Sequence, residues 1–180
     1  MSMTGSSAAL PPGDEIATLR EPARLVSPKA TAYWRVKAGI AFVIESAVAV
    51  AIWWALGRFL DVDTWWRNAV VGLFIAISAI EVIVAPPIRY RIHRWEVTDE
   101  AVYTRRGWIT TEQRIAPIAR IQTVDSSQGA LMRLFGLASI TVTTASSAGA
   151  LEIDCLDAET ARRVVAELTE FTAATEGDGT

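Results

Sequence analysis

Two long apolar runs dominate the first half of the chain, and short alternating segments dominate the second. Residues 38–57, AGIAFVIESAVAVAIWWALG, are apolar over about the length that crosses a bilayer and are interrupted by Glu45. Residues 69–88, AVVGLFIAISAIEVIVAPPI, form a second such run, interrupted by Glu81 and expected to stop at Pro86-Pro87. The link 58–68 carries Asp61, Asp63 and the Trp65-Trp66 pair. A buried helical pair in a soluble protein is the alternative. The short link flanked by Trp53, Trp54, Trp65 and Trp66 fits better as an aromatic belt at one face of a membrane. The first half is therefore expected to be a two-helix transmembrane hairpin.

Behind it the period changes from helical to strand-like. Polar and apolar residues alternate along Arg94-Trp95-Glu96-Val97-Thr98, and Asp99-Glu100 makes a tight connection to the β-prone Val102-Tyr103-Thr104. The alternation returns at Ser139-Ile140-Thr141-Val142-Thr143 and again at Leu151-Glu152-Ile153-Asp154-Cys155. Between them, residues 130–135 close on Gly136, which suits the left-handed cap of a short helix. From Asp157, a helical N-cap, the positions Ala161, Val164, Val165, Leu168 and Phe171 fall on one face of a closing helix, with Arg163 and Glu167 on the exposed side. Such a helix would cover the open end of a small barrel.

Several of these segments together resemble the bacterial pleckstrin-homology-like domain of the YdbS type. The matching residues are Val97-Thr98-Asp99-Glu100 leading to Arg106-Gly107, Ile118-Ala119-Arg120-Ile121-Gln122-Thr123-Val124, Gln128, the turn 131–136, and Ile140-Thr141-Val142. The resemblance covers roughly 90–174. It implies a mainly-β, partly open barrel capped by a C-terminal α-helix, with two spans ahead of it. The expected organisation is a disordered cytoplasmic tail at 1–34, the hairpin at 35–89, the barrel at 90–174 and a short tail at 175–180.

Composition narrows the function. A hydrophobic content of 51% and a mean hydropathy of +0.28 exceed what a soluble chain carries. Seventeen basic against twenty acidic residues argue against a nucleic-acid-binding surface. A single cysteine excludes an internal disulfide and any multi-cysteine metal site, and Cys155 falls on the apolar side of its strand as a core residue. GxSxG, P-loop, GxGxxG and HExxH motifs are missing, and His93 is the sole histidine, so neither a cofactor nor catalysis is expected. Arg35 and Lys37 precede the first span, while Arg89, Arg91 and Arg94 follow the second. By the positive-inside rule both termini and the barrel belong in the cytoplasm of a bacterial plasma membrane.

Two groups of residues remain as candidate sites. Glu45 and Glu81 each lie about 12 Å inside the apolar runs from the barrel side, with no Lys or Arg in either run to pair with them. They could share a proton and clamp the hairpin, contact a membrane-protein partner or a second copy, or serve proton or ion handling within a larger complex. The second group is Arg89, Arg91, Arg94, Arg105, Arg106 and Trp108, candidates for lipid-headgroup contact. Phosphoinositide-binding pleckstrin-homology domains carry basic residues at the first hairpin turn. Here that turn is the acidic Asp99-Glu100. The expected function is a membrane-tethered binding or assembly module, with anionic-lipid binding and an accessory role in a transporter as alternatives.

Overall fold

The two apolar runs form helices longer than themselves. In the computed structural model, which describes residues 21–59, 63–145 and 149–177, α1 (Ala30–Phe59) has 30 residues and α2 (Thr64–Ile92) has 29. Each contains a stretch apolar enough to cross a membrane, with mean hydropathies of 2.0 and 2.3. At about 1.5 Å per residue each helix is about 45 Å long, against a hydrocarbon layer of about 30 Å, so several turns must stand outside the bilayer. Val43, Ile44, Val48, Leu73, Ile77 and Ile83 project outward as a lipid-facing surface. Hydrogen bonds between Trp53 and Asn68, and between Glu45 and Ser78, set the helices antiparallel.

The link is shorter than the sequence suggests, because Arg67 and Asn68 already belong to α2. They tie off the closed end of the hairpin. Trp53 Nε1 donates to Asn68 Oδ1 at 2.9 Å, and Arg67 Nη1 donates to the Trp53 carbonyl at 2.9 Å while its guanidinium lies over the indole. The rings of Trp65 and Trp66 stack at 4.3 Å. At the other end, α2 does not stop at Pro86-Pro87 but continues to Ile92. Two prolines leave the carbonyls of Val82 and Ile83 without helical donors, which should break an isolated helix. Ala85 and Pro86 are buried at this turn, and the surrounding packing holds the helix through it.

The chain leaves α2 through His93 straight into a sheet. β2 (Arg94–Val97), β3 (Ala101–Gly107) and β4 (Thr111–Pro117) form an antiparallel meander. Its first turn is closed by Thr98, whose Oγ1 accepts from the Ala101 amide at 3.1 Å. A 3-10 turn, Ile118–Arg120, leads to the second sheet of β5 (Ile121–Ser127), β6 (Leu137–Thr144) and β7 (Leu151–Asp157). The short helix α3 (Ala130–Phe135) sits between β5 and β6 and ends on Gly136 at φ 65°, as the sequence suggests. The sheets do not close on each other. Val102 and Ala116 of one face Leu137, Ile140, Val142, Leu151 and Ile153 of the other, and α4 (Ala158–Gly177) covers the open end with Ala161, Val164 and Leu168. This is the partly open, helix-capped barrel expected, behind a two-helix transmembrane hairpin.

The segment ahead of the first span differs from the expected tail. Residues 1–20 lie outside the described set, but from Pro22 onward the chain is built into the barrel. β1 (Arg24–Leu25) adds a strand to β2, with Arg24 opposite Trp95. Glu96 Oε2 accepts from the Ala23 amide, the Val26 amide donates to the His93 carbonyl, and the Ser27 amide donates to the Cys155 carbonyl at 3.0 Å. That last bond depends on a bulge in β7. Asp154 and Cys155 together oppose Ser139, and Cys155 adopts φ 57°. The segment thus stitches both sheets to the hairpin. Ser27-Pro28 then opens α1, whose first turns place Ala30, Tyr33 and Trp34 in the barrel core.

Candidate functional site

Glu45 and Glu81 both lie on the exposed surface of the hairpin at membrane depth. Glu45 Oε2 accepts a hydrogen bond from Ser78 Oγ at 3.3 Å. Glu81 makes no hydrogen bond or ion pair among the described residues, and the bond across the hairpin therefore runs from Glu45 to Ser78, not from Glu45 to Glu81. Counting turns of α2, Phe74, Ser78 and Glu81 share one face. That face borders a groove of about 360 Å³ lined by Ile44, Glu45, Val48, Ile52, Val70 and Phe74, among others. The hairpin thus presents an apolar groove with the Glu45 carboxyl at its barrel end, while Ser78 and Glu81 follow one and two turns beyond Phe74 on the same face of α2.

The basic cluster is largely neutralised from within. Arg105 pairs with Glu21, and Arg94 Nε lies 3.8 Å from the same carboxylate. Arg106 joins the two sheets: Nε donates to Glu112 of β4 and Nη1 to Glu152 of β7, both at 3.0 Å. Arg114 completes the corner by donating to Glu112 at 2.6 Å. The guanidinium groups of Arg114 and Arg106 hold the Glu112 carboxyl below its usual range. Burial and the neighbouring Asp154 push Glu152 up, and Arg106 only partly opposes them. Arg89 and Arg91 carry no such partners among the described residues. Trp108 is half-buried beside the β3–β4 turn, which is tight because Gly107 adopts φ 130°. The partners Glu21, Glu112 and Glu152 were not identified from sequence. The ion pairs join residues as far as 84 positions apart, and no local pattern marks them.

His93 sits at the joint between span and barrel. Its Nδ1 donates to the Arg89 carbonyl at 2.7 Å, and its ring lies 4.9 Å from that of Trp34. Burial holds its imidazole below the usual histidine range, and the Arg89 hydrogen bond opposes this only in part. Cys155 is 1% exposed, with its thiol pushed up to about 12 by burial and then by Asp154, so it packs and does not react. No group of three or more metal-ligating side chains occurs among the described residues.

The chain matches the family model for the bacterial PH domain over residues 35–172, which takes in the hairpin as well as the barrel. It is 27% identical over 161 residues to the UPF0699 transmembrane protein YdbS of Bacillus subtilis (strain 168), covering 88% of this chain and 98% of that one. No solved structure matches. With its open barrel, capping helix and membrane hairpin, the chain belongs to the bacterial PH-domain family.

Proposed function

We propose that this protein is a membrane-anchored, non-catalytic binding module that engages another membrane protein, or a second copy of itself, through the carboxyl-bearing face of its hairpin. The observation that carries this reading is Glu81, exposed at membrane depth with no partner among the described residues, one turn from the Glu45–Ser78 bond. A charged carboxylate at a helix centre costs about 2.5–3.5 kcal/mol in a bilayer, and a lipid-facing one is stabilised when a neighbouring helix brings a donor. The basic residues at either end of the hairpin on the barrel side support a cytoplasmic barrel. Substituting Glu45→Gln and Glu81→Gln together should abolish recovery of the partner after in-membrane crosslinking and purification. Unchanged recovery would remove the carboxyls from the interface.

A second reading, contact with anionic lipid, is favoured by Arg89 and Arg91, which are not engaged in the internal ion pairs that occupy Arg94, Arg105 and Arg106.

A further inference from the structure

Among the described residues, no large apolar side chain is more exposed than Ile109 and Leu134, both at 82%, although neither belongs to the spans. Leu134 is on α3, whose Phe135 packs edge-on against Tyr33 with ring centres 6.1 Å apart. Tyr33 is in the first turn of α1, and the uninterrupted apolar run begins about 8 Å further along that helix. α3 therefore sits at the depth of the lipid headgroups.

Ile109 is at the tip of the β3–β4 turn. Arg105 of β3 pairs with Arg94, the first residue after the joint at His93. Beyond it β3 has no partner in β2, and Arg106 there donates to Glu152 of β7. The strand thus runs back past the joint at which the chain left α2. Its tip stands about 10–13 Å beyond Arg105, comparable with the roughly 9 Å that separate Arg94 from the end of the apolar run. One exposed apolar wedge accordingly flanks each helix of the hairpin. Around them Arg35, Lys37, Arg91 and Arg133 are exposed.

We propose that this underside docks onto the leaflet it faces, with Trp108-Ile109 and Leu134 set into the headgroup–acyl boundary and Arg35, Lys37, Arg91 and Arg133 against anionic headgroups. The bilayer is the occupant because the surface is continuous with the transmembrane hairpin and its charge is complementary to an anionic leaflet. Two wedges, one beside each helix of the hairpin, fix the barrel upright. The Asp99-Glu100 turn is then held away from the membrane and open to the aqueous side.

The test uses full-length protein in nanodiscs containing anionic lipid, with single substitutions Ile109→Cys, Leu134→Cys and, as a distal control, Glu100→Cys. Native Cys155 is buried and resists labelling. Each new thiol carries an environment-sensitive fluorophore, challenged separately by acyl-chain-brominated lipid and by aqueous iodide. Quenching by brominated lipid should be several-fold stronger at 109 and 134 than at 100, with the order reversed for iodide. Equal iodide access at all three positions would overturn the proposal. So would protection from iodide without quenching by lipid, which would mean that protein, another chain or a second copy, covers the surface. Lipid quenching at only one of the two wedges would equally overturn two-point docking.

Discussion

Replacing Tyr33 with alanine should loosen the barrel although Tyr33 belongs to a transmembrane helix. Its side chain is 8% exposed, lies in the same core cluster as Leu137 and Leu168, and meets Phe135 edge-on. Truncating a buried aromatic residue costs about 3–5 kcal/mol, and an aromatic pair of this geometry contributes about 0.5–1.5 kcal/mol of that through direct coupling. Tyr33→Ala should therefore lower the stability of the barrel by about 3 kcal/mol. A cycle with Phe135→Ala should return a coupling of about 1 kcal/mol. The assay is urea unfolding of the full-length protein in detergent micelles, followed by amide exchange of peptides from β6 and β7, which leaves the micelle-bound spans out of the signal. A destabilisation confined to residues 30–40, with β6 protection unchanged, would show that the span and the barrel fold independently and would refute the reasoning.

Three other expectations follow from the joint and the corner. The folded-state pKa of His93 is depressed, so its stabilising contribution is complete above the unfolded value of about 6.5 and is lost as pH falls through the folded value. Unfolding midpoints should drop as pH falls from about 6.5 through the folded value, and His93→Gln should flatten this part of the profile, with Arg89, Arg106 and Asp154 as the charged neighbours. Arg106→Met should lower the thermal midpoint by a few degrees by releasing β4 from β7, while Arg91→Ala, on an exposed face, should leave it unchanged; equal effects would mean that Arg106 is not a staple. Gly107→Ala should cost about 1–3 kcal/mol, because φ 130° is strained for any other residue and the added methyl would strike the Thr110 carbonyl. An unaltered denaturation curve would exclude that strain.

What was legible in the sequence is what repeats locally. The spans announced themselves by apolar runs of twenty residues each, β2, β6 and β7 by alternation, and the closing helix by the stripe from Ala161 to Phe171. Gly136 marked its cap because a left-handed residue after a short helix favours glycine. The misses are tertiary. β1 is two residues long, and Pro22, Val26 and Ser27 are buried only because β2, the α2 end and the β7 bulge are assembled around them. A signal for this existed in Ser27-Pro28, an N-cap followed by proline, which places the start of α1 well before the apolar run. Pro86-Pro87 misled because a helix-breaking preference of about 3 kcal/mol yields to a packed environment. The basic residues looked like a free surface because their acidic partners come from distant strands and from the N-terminal segment. For the carboxyls, the apolar runs gave the depth, but only the helix register showed that Glu45 meets Ser78 and leaves Glu81 outward.

In the proposed function another protein chain covers the groove between α1 and α2. A photo-activatable amino acid in place of Phe74, which lines that groove, would capture that chain in native membranes. A protein adduct of discrete mass, either a second copy or one foreign chain, lost when Glu45 and Glu81 are both replaced by glutamine, is the expected result. Adducts to lipid alone would mean that the groove faces the bilayer and that the proposed function is wrong.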